Sequence, residues 1–305
     1  MDTSSTIRVQ QGAERLKRDG IRRVLIYLIR PSSYLNKGYV RIFKRVMLPS
    51  NSAAVMYTQF RAVLGQLGFN KLEWDIKTFD DAIKEDRKKL RRIQKDLNRC
   101  HADTLLIVGF VGVQTHELPR ARDLALRWQE VGATTIIGGF GVSGPLRTLY
   151  WGIEDNRRKN FPKGDRSALP PEIQDLLDHN IIVFDGEAEG PQFVEMLGDI
   201  FHGTPKLLYY EAEGPDIAAA LIPEYPPDHL RYVIGTTNST IDESRGCPFI
   251  CSFCSIINFR GRDVRSRDPV AIVEHLKETA RKHGAAYVFF TSDNFPRNRR
   301  SREIL

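Results

Sequence analysis

Between residue 22 and about residue 210 the chain repeats one alternation: a short, nearly continuous apolar run, then a segment with apolar residues every three or four positions. The runs are RVLIYLIR, KLEWDIKTF, DTLLIVGFVGV, ATTIIGGFGVSG, NIIVFDGEAEG and KLLYY. Short and rich in β-branched residues, they predict strands buried on both faces. The intervening segments predict helices over Ala53–Leu67, Asp80–Arg99, Pro119–Val131 and Pro191–Phe201, with Gly68 and Gly132 just past two of them as stops. Strands and helices in this order predict a doubly wound parallel α/β sheet over residues 1–210. The longest interruption, Pro145 to Asn180, is polar and carries prolines, and predicts a loop with one short helix.

A proline-rich linker follows at residues 211–234, and the rhythm restarts over 235–305. TTNSTIDESRG predicts a strand ending at Gly246. Asp268 and Pro269 predict the cap and first turn of a helix that Gly284 terminates, and AAYVFFTSDNF predicts another strand.

Composition narrows the class. With 41% hydrophobic and 27% charged residues, 305 residues suit a globular protein of about two domains. The N-terminus MDTSSTIRVQ has no signal-peptide pattern, and the apolar run Val24–Ile29 is far too short to span a bilayer, so a cytoplasmic location is expected. Much of the net charge of +7 sits between Glu85 and Arg99, beside an apolar stripe of Ile83, Leu90, Ile93 and Leu97. No aromatics interleave these bases, so a nucleic-acid partner is not expected.

Three predicted strands end in glycine-rich turns: Gly109 to Gly112, Gly138 to Gly144, and Gly186 with Gly190. Ligands of open α/β sheets bind beyond the carboxyl ends of the strands, where glycine admits bulky groups to the backbone. Three such turns on one sheet edge predict a binding cleft. The match of Gly139–Gly144 to the dinucleotide pattern G-x-G-x-x-G is weak, because it follows the fourth strand and Pro145 comes directly after it.

Three of the four cysteines, Cys247, Cys251 and Cys254, fall in ESRGCPFICSFCSIINFRGRDVR, while Cys100 stands alone upstream. So few cysteines in a chain of this size suggest a reducing compartment, where clustered thiols are metal ligands or redox groups more often than disulfides. The spacing would also put all three on one helix face as small apolar residues, but Gly246 and Pro248 break a helix there. Zinc prefers four ligands, and no fourth stands nearby; His229 and His275 are the nearest histidines. A 4Fe–4S cluster suits the pattern better: three thiolates hold three irons and leave the fourth open.

C-x-x-x-C-x-x-C with Phe253 just before the last cysteine resembles the signature of the radical S-adenosylmethionine enzymes. SRGCPFICSFC, FRGRDVRSRDP and YVFFTSDNF look like the subset with an N-terminal cobalamin-binding domain, whose counterparts here are IIGGFGVSG and FDGEAEG. The resemblance covers about residues 100 to 305. It implies a Rossmann- or flavodoxin-like cobalamin domain followed by the first part of a (β/α) barrel. It also implies three cofactors: a 4Fe–4S cluster, S-adenosylmethionine and cobalamin. Cys247, Cys251 and Cys254 would ligate the cluster, and Phe253, Ser292, Asp293 and Asn294 would contact S-adenosylmethionine. Gly109, Gly112, Gly138, Gly139, Gly141 and Gly186 would receive cobalamin, with bulk at Gly139 expected to block its nucleotide tail and leave the sheet intact. The family cleaves the sulfonium with an electron from the cluster, and the resulting deoxyadenosyl radical attacks unactivated carbon. The expected activity is therefore carbon methylation or radical rearrangement of a small or lipid-like substrate, with electrons from a reductase or flavodoxin-type donor.

Two features depart from the family. The stretch after the first strand, RPSSYLNKGYVRIFKRVMLPSN, has no histidine for cobalt, and His116 after the third strand is the one loop histidine that could face the cofactor. Residues 235–305 provide roughly two strand–helix units, where such barrels have about six of the eight in a full α/β barrel. A methylthiotransferase would need three further cysteines, and a cofactor-binding module without a complete barrel would do no chemistry. Colour separates an iron–sulfur protein from the remote alternative, a zinc-bound nucleic-acid protein. With so few barrel strands, residues 235–305 are expected to pack loosely beside an independently folding N-terminal domain. The 305-residue chain alone is accordingly expected not to cleave S-adenosylmethionine with dithionite, and robust deoxyadenosine release by the monomer contradicts that.

Overall fold

A computed structural model describes residues 3–66, 72–97, 102–152, 164–211, 213–226, 229–234, 237–249, 251–283, 287–295 and 300–304. The N-terminal part runs α1 (Thr3–Arg18), β1 (Arg23–Arg30), α2 (Asn51–Gln66), β2 (Glu73–Asp80), α3 (Lys84–Leu97), β3 (Thr104–Phe110), α4 (Leu118–Gln129) and β4 (Thr134–Gly138). It continues with α5 (Phe140–Pro145), α6 (Pro171–Asp178), β5 (Ile182–Asp185), α7 (Pro191–Phe201) and β6 (Leu208–Tyr210).

The apolar run of β1 explains the layering, because all six residues from Val24 to Ile29 are buried. Side chains alternate across a strand. Val24, Ile26 and Leu28 join Phe60 and Leu64 of α2 and Phe193 and Leu197 of α7 in one core. Leu25, Tyr27 and Ile29 join Leu90 of α3, Trp128 of α4 and Ile173 of α6 in the other. A strand buried on both faces needs helices on both, which is why the run is apolar throughout. All pairings in this sheet are parallel, in the order β2-β1-β3-β4-β5-β6. That is the flavodoxin-like winding with one strand added, and its ligand crevice lies at the carboxyl ends of the strands.

Gly132 closes α4 at φ +84°, and the Ala133 N–H donates to the Trp128 carbonyl at 3.1 Å. The short helix expected in the long interruption is α6. Leu67, Gly68, Arg99, Cys100 and Gly284 lie outside the described residues. The helix α1 has no counterpart in the apolar pattern. It packs across α7 where Gly12 and Gly198 remove side chains, and a Cβ on Gly12 would stand 2.6 Å from that of Phe201. Arg8 donates to Asp199 at 2.7 Å, and Asp199 also accepts from the buried Tyr209 hydroxyl at 2.8 Å.

In the C-terminal part, β7 (Thr237–Ile241), α9 (Pro269–His283) and β10 (Tyr287–Phe290) form one parallel crossover. The strand expected to reach Gly246 stops at Ile241. After Asp242 and Glu243 the chain enters β8 (Ser244–Arg245), which pairs antiparallel with β9 (Arg265–Ser266). The cysteine loop and a short helix α8 (Ile256–Phe259) lie between them, and α10 (Ser301–Ile304) comes last. Within the segment expected to pack loosely, residues 239–246 are all buried and the Thr240 hydroxyl donates to the Pro49 carbonyl at 3.2 Å, whereas residues 251–253 are exposed. Along β10, Tyr287 and Phe289 lie on one face of the strand and are exposed, so that face is uncovered. No described helix is long and apolar enough to cross a membrane.

Gly12→Ala should cost about 1–3 kcal/mol through the forced α1–α7 separation. Gly65→Ala, in α2 with open space around it, should gain up to about 1 kcal/mol of helix propensity. Thermal melts of the two variants check the opposite signs.

Candidate cofactor cleft and cysteine loop

The ends of β3, β4 and β5 converge on a cavity of about 130 Å³ lined by Gly109, Gly112, Gly138, Gly139 and Gly186. Met56 and Phe60 of α2 form one wall, and Arg245, Phe259 and Arg260 reach it from the C-terminal part.

The glycines have more than one duty. Gly139 has φ +127°, and a Cβ there would run into the Val113 nitrogen and the Gly112 carbonyl carbon. Gly141 is not among the cavity's lining residues; its N–H donates to the Val113 carbonyl at 2.7 Å, and a Cβ would stand 2.9 Å from the Gln114 carbonyl oxygen. Both let the loop after β4 lie directly on the loop after β3. Bulk at Gly139 would therefore separate these loops before it blocked any ligand, which corrects the expectation from sequence. Gly112, at φ +63°, would put a Cβ 2.6 Å from the Ser52 hydroxyl and so admits the start of α2.

Backbone bonds hold the cysteine loop at both ends. Gly246 has φ +94° and donates its N–H to Asp293 Oδ2 at 2.8 Å. The Cys247 N–H donates to the Gly261 carbonyl at 3.2 Å, and the Cys254 N–H to the Cys251 carbonyl at 3.1 Å. All three thiols are free; Cys251 is exposed, and Cys247 and Cys254 are half-buried. Among the described residues, no three His, Cys, Asp or Glu side chains are gathered closely enough to hold a metal ion. The donor set nonetheless fits an iron–sulfur cluster: soft thiols on one loop, two of them accessible only in part.

Of the residues expected at S-adenosylmethionine, Asp293 is engaged with Gly246, and Asn294 Nδ2 lies 3.5 Å from Cys247 Sγ. Both face the cysteine loop. The Ser292 hydroxyl is buried without a hydrogen-bond partner, a polar atom left over for a ligand. Phe253 is 90% exposed and shapes no pocket here. His116 is also exposed and lies away from the cavity lining, and the histidine-free stretch after β1 bridges to Ile83 and Val233 through Phe43 and Val46.

The sequence reading missed the largest polar feature, a buried ion network between the cleft and the cysteine loop. Arg245, 4% exposed, donates to Asp242 at 2.6 Å, to Glu187 at 2.6 Å and to Glu189 at 2.7 Å. Arg265 grips Glu187 with both terminal nitrogens, at 2.8 and 2.7 Å. Arg267 bonds Glu189 at 2.9 Å and the Asp242 carbonyl at 3.0 Å. Burial alone would raise Glu187, but the hydrogen bonds from Arg265 and the charge of Arg245 bring it down to about 2. Asp242 is likewise held well below the usual carboxylate range by Arg245 and Arg267 against its burial. Next to these, Glu211 accepts the Glu187 N–H at 3.3 Å; burial, reinforced by the Glu187 charge, pushes it up to about 7. A legible signal did exist: acids at alternate positions after β5 (Glu187, Glu189) and arginines at alternate positions in and just after β9 (Arg265, Arg267).

No family model matches the chain. It is 31% identical over 139 residues to an uncharacterised methyltransferase of Synechocystis sp., covering 46% of this chain and 25% of that protein. A Methanocaldococcus jannaschii protein provisionally named a methylthiotransferase is 32% identical over 131 residues, covering 41% and 28%. The bacteriochlorophyllide d C-8(2)-methyltransferase of Chlorobaculum tepidum is 27% identical over 178 residues, covering 56% and 32%. The chain thus spans about a quarter to a third of the length of these curated relatives.

Among solved structures, the radical S-adenosylmethionine methyltransferase TsrM of Kitasatospora setae, with tryptophan and an S-adenosylmethionine analogue bound, superposes with a TM-score of 0.56. Identity is 13%, over 90% of this chain and 48% of that one. TsrM has also been solved with cobalamin and a [4Fe-4S] cluster. The likeness is one of fold: the chain shares its architecture with about half of TsrM. In sequence, two of these relatives are named as methyltransferases.

Because the folded pKa of Glu211 is about 7 against an ordinary 4.5, the folded state binds more protons between those values, and stability falls as pH rises through that window. Urea denaturation at pH 5 and pH 8 should show the loss in wild type and a smaller one in Glu211→Gln.

Proposed function

We propose that this chain carries the cobalamin-binding and cluster-binding parts of a radical S-adenosylmethionine methyltransferase that acts on carbon. One observation carries the reading: a loop with three free thiols sits at the mouth of a glycine-floored cleft on a flavodoxin-like sheet, held there by buried ion pairs. Residues 1–210 form the cobalamin domain, 211–234 the linker and 235–305 the start of the barrel.

Cys247, Cys251 and Cys254 would ligate the cluster. When bound, these cofactors supply the electron that opens the sulfonium of S-adenosylmethionine and the cobalt that carries a methyl group. Asp293 and Asn294 would fix the loop and shield Cys247, and the unpaired Ser292 hydroxyl would meet the polar end of the methionine. Phe253 would help shape the adenine side. The apolar wall of Met56, Phe60 and Phe184 would keep water from the nucleotide end of cobalamin. The substrate class is a small apolar molecule; relatives include enzymes named for bacteriochlorophyllide and hopanoid methylation. Electrons would come from a reductase or flavodoxin-type partner. A methylthiotransferase reading has less support, because Cys100 is the only cysteine outside the loop and a second cluster needs three.

Anaerobic reconstitution with iron and sulfide should give a brown protein with about four irons, and Cys251→Ala should lose most of them while Cys100→Ala keeps them. Full iron retention in Cys251→Ala rules out the ligand assignment. Absence of hydroxocobalamin binding in a spectral titration rules out the cobalamin domain.

A further inference from the structure

The buried ion network joins two sites that the fold could have kept independent. Arg245 lies two residues before Cys247, and Glu187 and Glu189 follow directly on Gly186 at the end of β5, in the cleft lining. We propose that Glu187 and Glu189 are positioning residues: through Arg245 they hold the cysteine loop in register with the cleft, so that a corrinoid in the cleft and a cluster on the loop alter each other's binding. The inference rests on the function proposed above.

Three observations support it. First, the Arg245 guanidinium is fully committed, with Nε on Asp242, Nη1 on Glu187 and Glu189, and Nη2 on Glu189. A planar fork satisfied on every side has one position only. Second, the ion pairs cross the junction. Arg245 and Arg267 share Asp242 of their own segment and Glu189 of the sheet, and Glu187 pairs with Arg245 and Arg265. Withdrawing the two glutamates takes from Arg265 the carboxylate it grips and leaves Arg245 and Arg267 dividing Asp242, so the loop cannot leave the strand end without stranding charge. Third, the path from Arg245 to the first thiol is short and stiff. Gly246 is fixed at φ +94° by Asp293, and the Cys247 N–H is tied to the Gly261 carbonyl. A displacement of Gly186–Glu189 by a ligand is passed to Cys247 through one guanidinium and two peptides.

A staple that only stabilised the fold would leave the two ligands thermodynamically independent. Coupling is reciprocal, so it is read as a ratio: the hydroxocobalamin dissociation constant of the cluster-free full chain over that of the cluster-loaded chain. Wild type should give a ratio differing from one by about fivefold or more. In Glu189→Gln, nearly isosteric, the ratio should collapse toward one with the iron content retained, and Glu189→Asp should restore part of it. Glu187→Gln, at a less buried position, provides the same reading if Glu189→Gln fails to fold by circular dichroism. The electron paramagnetic resonance spectrum of the dithionite-reduced cluster, recorded with and without hydroxocobalamin and with the cob(II)alamin signal subtracted, should change in wild type and not in the Gln variants. A wild type that binds both ligands with a ratio near one, or folded Gln variants that keep the wild-type ratio, overturns this inference alone. A wild type that takes up neither iron nor corrinoid overturns the proposed function and this inference with it.

Discussion

Three arginines and three carboxylates share one buried volume, and the C-terminal segment can lie on the sheet only where that volume closes. Desolvating six charges is expensive, and their mutual attraction offsets it only when every donor meets an acceptor at short range. That requirement makes the contact selective. A sliding apolar interface tolerates small shifts; a guanidinium shared among Asp242, Glu187 and Glu189 does not. Lysine could not take its place, since one ammonium has neither the reach nor the planar fork.

From that contact the layout follows in order. The β8–β9 hairpin sets Arg245 opposite Arg265, so both reach the acids after β5. The hairpin's loop, which bears the three cysteines, is thereby carried to the mouth of the cleft. On its far side α8 leans on α5 through aromatic contact, Phe259 meeting Phe140 edge-on at 5.7 Å, with the Arg147 guanidinium over the Phe259 ring. Arg147 in turn pairs with the fully buried Asp185 at the end of β5, so the same strand end anchors both flanks of the loop.

The parallel sheet was legible because its signal is continuous: a strand buried on both faces has no polar positions to confuse its period. The cysteine loop and the glycine turns were legible because their residue types are rare and their spacing is informative. Helix α1 was not, since its contact with α7 depends on small residues, Gly12 and Gly198, that carry no hydrophobic signal. The division of one expected strand into β7 and β8 was hidden for a different reason. Asp242 and Glu243 look like strand-end polar residues in sequence, and only their buried arginine partners and neighbours explain why the chain turns there. Long-range ion pairs of this kind join residues 56 to 78 positions apart, beyond any local pattern. Ser292, Asp293 and Asn294 were found as a set but divided by the fold, two facing the thiol loop and one left with an unpaired hydroxyl.

Beneath the floor of the cleft, where Gly139 and Gly141 meet Val113 and Gln114, main chain is laid on main chain. A surface of that kind has almost no vocabulary for change: most substitutions in it break the two loops apart before they alter what the cleft accepts. Diversification toward other ligands must then be written on the opposite wall, in Met56, Phe60 and Phe259, where side chains can be exchanged one at a time. The floor would persist through divergence as a fixed mould, while the wall drifts to suit each new occupant.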